Sequence, residues 1–284
     1  MDRDNGTPDR RTVLSGHVVM SVGAGGLGLA GCSSAQGACS LDTAAPSPAP
    51  GAGSASGTVP ASAASAASAP SAEPLASQGV LAQSGPDVTT GSRAGNAVAL
   101  TFHGAGDVQL TEQALQVTHS AGAHITVFAV GEWLAAAPRL GRDIVSAGHD
   151  RGNHPWSHQS MTRLGPVEAE KEVRDGARSV GAAVGAAGLL FRPSGTPRST
   201  EPVRAASLAS GYQRCVFYDV DPGEYLDPGP DLVRSRTLGA VAAGSIVSLH
   251  FGHPGTIEAL PGILAGLPAR GLRAVALTEL LAQP

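Results

Sequence analysis

From Ala97 to the C-terminus the chain repeats one pattern, a short run of strand type followed by a stretch long enough for a helix. The runs are AVALTF (97–102), ITVFAV (125–130), the less apolar GHDRGN (148–153), LLFRP (189–193), YQRCVFYDV (212–220), SIVSLH (245–250) and LRAVAL (272–277). Short runs rich in Val, Ile, Leu and Phe suit strands covered on both faces. The helix candidates between them are 111–121, 136–147, 167–184, 203–210, 230–242 and 256–269. Strand alternating with helix calls for a parallel sheet, and repeats of about 25–30 residues suit a barrel or a doubly wound sheet. The fold class is therefore α/β.

Polar residues stand at the ends of these runs. His103 follows the first, His154 the third, Arg192 lies at the end of the fourth, Asp221 follows the fifth and His250 ends the sixth. In parallel α/β folds the C-terminal strand ends converge on one face, where catalytic groups collect. Any one of these residues alone would suit a structural role; five at corresponding ends point to a site.

The 284 residues divide by composition. Paired arginines at 10–11 precede an apolar, Gly-rich stretch, 18–30, too short for a stable membrane span and laid out like a twin-arginine export signal. That stretch ends Leu29-Ala30-Gly31-Cys32, which resembles the lipobox of bacterial lipoproteins, whose cysteine receives lipid. The expected division is a signal over 1–31, a disordered Ala/Ser/Gly/Pro-rich tether over 32–95 beginning at lipidated Cys32, and a folded domain over 96–284. A flexible tether of that length spans on the order of 45 Å. The protein is then expected outside the cytoplasm, on the membrane face by its lipid anchor or else secreted. A formal net charge of −4, with no basic cluster after the first dozen residues, excludes a nucleic-acid binder. Cys215 is the one cysteine inside the domain, so no disulfide framework or thiolate metal site can form there.

The segment RGNHPWSHQS (151–160) sets His154 and His158 four residues apart. On a helical turn that spacing puts both on one face, where two neutral imidazoles can meet one divalent cation. The residues around them form a recognisable series: Leu100-Thr101-Phe102, Gly131-Glu132, Gly148 to His158, Phe191-Arg192-Pro193, Asp219-Val220-Asp221, and Ser245 to His250. In this order they resemble the polysaccharide deacetylase family, carbohydrate esterase family 4, over nearly all of 97–284. The G-N-H-x-W-S-H element is the specific part. The resemblance implies an irregular (β/α)7 barrel, a metal held by His154 and His158 with one aspartate, and His250 as general acid beside Asp221 and Arg192. The implied cofactor is a divalent ion, zinc first, with cobalt, nickel or manganese as alternatives. The implied substrate is an acetylated carbohydrate polymer such as peptidoglycan.

The chain departs from the family where its first motif, T-F-D-D-G, should supply a base and the third ligand. Here it reads Thr101-Phe102-His103-Gly104-Ala105-Gly106-Asp107. A neutral His103 could accept a proton or complete a three-histidine site. Asp107 could fold back over the glycines to supply the missing oxygen. The family's R-P-P-Y-G appears as Arg192-Pro193-Ser194-Gly195-Thr196, its D-x-x-D-W as Asp221-Pro222-Gly223-Glu224-Tyr225, and its final L-x-H-D as Ser248-Leu249-His250-Phe251. His119, His124, His149 and His253 match no ligand role and are expected at surface or loop positions. Two functions follow: a metal-dependent hydrolase that removes N- or O-linked acetyl groups, or a non-catalytic relative that binds cell-wall glycan or a partner.

Overall fold

The computed structural model describes residues 80–81 and 85–284. The export signal, Cys32 and most of the expected tether lie outside the described residues. Five strands form one parallel sheet: β1 (Ala97–Gly104), β2 (Thr126–Ala129), β3 (Asp150–Asn153), β4 (Ile246–His250) and β5 (Arg273–Val275). From β1 onward the helices around it are α1 (Val108–Ser120), α2 (Gly131–Ala136), α3 (Pro138–Ser146), α4 (Pro166–Val184), α5 (Glu201–Ala209), α6 (Pro230–Ala240), α7 (Pro254–Gly266) and α8 (Leu277–Leu281). Every residue of β1 is buried, as its continuous apolar run requires of a strand covered on both faces. The helix expected over 136–147 runs from Pro138 to Ser146, preceded by a separate short helix that ends at Ala136, and Pro138 fits because a first-turn position needs no donor N–H.

The sheet order is β3-β2-β1-β4, with β5 pairing the start of β1. The two remaining runs close the circuit by isolated contacts. Phe191 bridges Asn153 of β3, Val216 N–H donates to the Phe191 carbonyl at 2.8 Å, and Val220 bridges Val247 of β4. Neither run becomes a strand. The first is confined between Gly188, at φ 72°, and Pro193, which has no N–H; the second changes partner between Val216 and Val220. Parallel segments thus ring a core, giving the irregular barrel expected of the family.

The folded part begins earlier than the expected boundary near 95. Leu81 and Val88 are buried, Val88 bridges Val216, and the Asp87 carboxylate accepts from the Ser199 N–H at 3.0 Å. Segment 85–95 therefore packs on the barrel rather than extending the tether, because its apolar and acidic residues find partners there. Cys215 is buried, and burial pushes its thiol up to about 12. Among the described residues no helix is long and apolar enough to cross a membrane.

Strand register fixes the upper rim. His103 of β1 lies level with His250 of β4 and with Phe128 of β2, and Ala129 lies level with Asn153 of β3. Four parallel strands consequently end together. The next residues, His154 after β3 and the turn after β1, start from that rim.

Candidate metal centre and active site

His103, His154 and His158 each present one ring nitrogen within 4.8 Å of the others. His154 follows β3, where its N–H donates to the Ala129 carbonyl at 2.9 Å. The expected helical turn between His154 and His158 is absent, since 154–160 is irregular. His158 instead adopts φ 61°, the left-handed region, which costs a non-glycine residue about 1 kcal/mol or more. That turn brings the two rings to 4.8 Å between centroids. The loop is clamped from two sides. Glu172 of α4 accepts from the Trp156 and Ser157 N–H groups at 3.0 and 2.8 Å, and the α2 N-terminus donates from Gly131 and Glu132 to the Pro155 and Trp156 carbonyls. α4 approaches closely because Gly176 has no Cβ; one there would lie 2.2 Å from Asn153 Oδ1.

Burial dominates the electrostatics. It lowers the basicity of His103 and His154 far below the usual imidazole range, with the neighbouring His154 and His158 charges respectively next in effect. His158, more exposed, is lowered by burial and then by His250. All three are therefore neutral at neutral pH, the form in which imidazole ligates metal. Three neutral imidazole nitrogens in this compass form a donor set for one divalent cation.

Hydrogen bonding fixes two of these rings. His154 Nδ1 lies 2.7 Å from the Arg192 carbonyl, which only accepts, so Nδ1 carries the proton and Nε2 the lone pair. That lone pair faces His103 Nδ1 at 2.9 Å, so His103 donates. His103 Nε2 then accepts, and its neighbours match: Arg192 Nη1 at 3.3 Å, which only donates, and Ser248 Oγ at 3.1 Å.

Arg192 is 1 % exposed, and burial pushes it down to about 9. Its Nε and Nη2 donate to the Val216 and Phe217 carbonyls, and the guanidinium lies 4.1 Å from the Phe128 ring centroid. Among the described residues no carboxylate pairs with it. His250 stacks beside His103 at 4.1 Å between centroids. Its Nδ1–H donates to Glu224 Oε1 at 2.5 Å, and the Glu224 side chain is wholly buried. A cavity of about 410 Å³ is lined by His103, His158, Arg192, Asp221, Tyr225 and His250 among others.

Of the residues expected at the site, His103, His154, His158, Arg192 and His250 come together. Asp221 lines the cavity but is exposed, and its carboxylate accepts from the Gly223 N–H at 2.9 Å. The acid expected beside His250 is thus Glu224, three residues on. The signal was the second acid of the D-x-x-D pattern. Asp107 does not fold back. It is exposed and caps α1, its carboxylate accepting from the Gln109 N–H at 2.6 Å, while Gly106 passes against Gly252 and directs the chain outward. His149, expected at the surface, is 5 % exposed; Nδ1 accepts from the Ile125 N–H, and Nε2 faces Thr118 Oγ1 at 3.2 Å. His253 pairs with Asp227 at 2.8 Å.

The family model described as polysaccharide deacetylase matches residues 90–214. A chitooligosaccharide deacetylase from Bradyrhizobium sp. is 31 % identical over 199 residues, 64 % of this chain and 90 % of the relative. The chain belongs to the polysaccharide deacetylase family. A peptidoglycan-N-acetylglucosamine deacetylase from Bacillus cereus is 30 % identical over 188 residues, covering 65 % of this chain and 87 % of that one. Among solved structures, a family 4 carbohydrate esterase pseudoenzyme from Bacillus anthracis superposes with a TM-score of 0.64 at 25 % identity, covering 69 % of this chain and 68 % of that chain.

One family position is physically closed. A Cβ at Gly104 would meet Val127 Cγ1 at 2.9 Å, the Ala129 Cα at 3.0 Å and the Trp133 ring at 3.0 Å. The slot in which the family motif carries its second aspartate is filled by these neighbours.

Proposed function

We propose that this chain is a deacetylase of N-acetylated carbohydrate, chitin-like or peptidoglycan-like, working at a zinc site formed by His154 and His158 with His103 as the third imidazole. The observation that carries this reading is the meeting of three neutral imidazoles with the His250–Glu224 pair beside one cavity. Zinc bound there supplies Lewis acidity toward the acyl carbonyl and a nucleophile from water at neutral pH. Glu224 fixes His250 with its proton on Nδ1, so Nε2 is the nitrogen left to exchange a proton with the leaving amine. Tyr225, 48 % exposed beside His250, offers a ring face to a pyranose at the rim. The backbone of Gly195 and Thr196, which line the cavity, is the place for an N–H donor to the acyl oxygen. The names of the relatives support an acetylated amino-sugar polymer as substrate.

The test is acetate release from N-acetylglucosamine oligomers and peptidoglycan by zinc-loaded full-length protein. Release that stops on chelation, and in His154→Ala, is expected; no release from the loaded protein contradicts the reading.

A second reading, a glycan-binding relative without catalysis, is favoured by the closed slot at Gly104 and the missing first-motif acids. Glycan binding by a zinc-loaded protein that frees no acetate would select it. Either function would be exercised at the outer membrane face if Cys32 is lipidated, a reading supported by the Leu29-Ala30-Gly31-Cys32 sequence. Cys32→Ala should then leave the membrane fraction, and its retention there would refute the anchor.

A further inference from the structure

From the directions of the hydrogen bonds we infer that Arg192 is a positioning residue that closes the metal site with a ring of hydrogen bonds, which an incoming cation must open. The inference rests on the reading of His103, His154 and His158 as that site. The ring runs from Arg192 Nη1 to His103 Nε2, from His103 Nδ1–H to His154 Nε2, and from His154 Nδ1–H back to the Arg192 carbonyl. One residue supplies both ends. Its guanidinium can only donate and its carbonyl can only accept, so both imidazoles are held in fixed tautomers.

The consequence falls on the cation. The lone pair of His154 that would ligate it is already taken by His103, and the His103 nitrogen facing the cluster carries a proton. For His103 to become the third ligand, that proton must leave Nδ1 and a proton must sit on Nε2. Ser248 Oγ at 3.1 Å can accept from Nε2–H, but Arg192 Nη1 at 3.3 Å would then oppose one N–H with another. Ligation by three imidazoles therefore costs the Arg192–His103 bond. Among the described residues no carboxylate bonds the buried guanidinium to offset its charge beside a second cation. Arginine rather than lysine suits this position, because a planar fork reaches two carbonyls and one ring nitrogen at fixed angles.

The experiment is a long-range proton–nitrogen correlation spectrum of histidine-labelled protein, without metal, at a pH where the imidazoles are neutral. The expected spectrum has His103 and His154 both protonated on Nδ1; His103 protonated on Nε2 overturns the inference. Saturating zinc should move the His103 proton to Nε2. A His103 that keeps its Nδ1 proton while His154 and His158 shift would overturn the ring-opening step. Arg192→Met should release His103 to the Nε2 tautomer and tighten zinc binding by roughly 10- to 100-fold, the scale of one hydrogen bond to a charged group. An unchanged tautomer in the folded variant also overturns the inference, and if the variant fails to fold the wild-type spectra still decide it. A wild type that binds no zinc removes the metal-site reading, while the metal-free spectrum tests the ring independently.

Discussion

Replacing Gly104 with aspartate restores the family's second acid in sequence but should fail in structure. The added Cβ would stand 3.0 Å from a backbone atom, Ala129 Cα, and equally close to the Trp133 ring, whose Nε1–H is tied to the Gly106 carbonyl at 3.0 Å. Neither neighbour is a free side-chain end. Overpacking of this kind costs about 1–3 kcal/mol, and a carboxylate buried without a partner adds a comparable amount. A loss near 3 kcal/mol or more lowers the midpoint by roughly 6–12 °C in a domain of this size. Gly104→Ala separates the two causes, since it introduces the same Cβ without charge. His103→Asp, in contrast, adds a carboxylate facing His154 without a new Cβ and should fold, free the His154 lone pair and tighten zinc binding. Thermal unfolding by circular dichroism and zinc titration of the three variants provide the assay. Gly104→Asp and Gly104→Ala melting with the wild type would refute the closed slot.

Glu224→Gln should lower kcat on acetylated oligomers on the order of 10²-fold with zinc binding retained, because His250 loses its charged partner; equal kcat values would remove Glu224 from the mechanism. Glu172→Ala frees two loop N–H groups and should weaken zinc binding roughly 10- to 100-fold, read by calorimetry. Stability should fall on acidification. His149 has a folded value of about 4, lowered by burial and then by His124 and His119, against 6.5 unfolded, so the unfolded chain binds the proton first. Its contribution is fully present above pH 6.5 and is lost between 6.5 and about 4, amounting to about 3 kcal/mol. His103 and His154 act in the same direction. Denaturant unfolding that showed no loss over that range would contradict the burial argument.

Much of the fold was legible because apolar runs separated by helix-length stretches leave few arrangements. β1 and β2 carry the continuous burial their composition demands, whereas β3 and β5 are only partly buried. LLFRP and CVFYDV read as strands too, yet form single bridges, since Gly188 and Pro193 bound the first and a change of partner divides the second. The site histidines were legible from their positions at run ends. Their geometry was not: spacing alone suggested a helical turn, whereas His158 reaches His154 through a left-handed residue held by the Glu172 clamp. The acids were the least legible. Asp107 and Asp221 stand at positions the motif pattern marks but satisfy their own loops, while Glu224 is the acid whose side chain turns inward. The boundary near 95 missed Val88 and Asp87, whose partners lie more than a hundred residues away.

The deacetylase function depends on whether these imidazoles hold a cation. Anomalous diffraction at the zinc edge from crystals of the zinc-loaded protein tests that directly. The account predicts one peak beside the cavity, about 2.0–2.1 Å from His154 Nε2 and from a His158 ring nitrogen, with His103 Nδ1 as the third ligand. A fully loaded crystal with no peak among these three rings, or a peak only at His119 and His124, would contradict it.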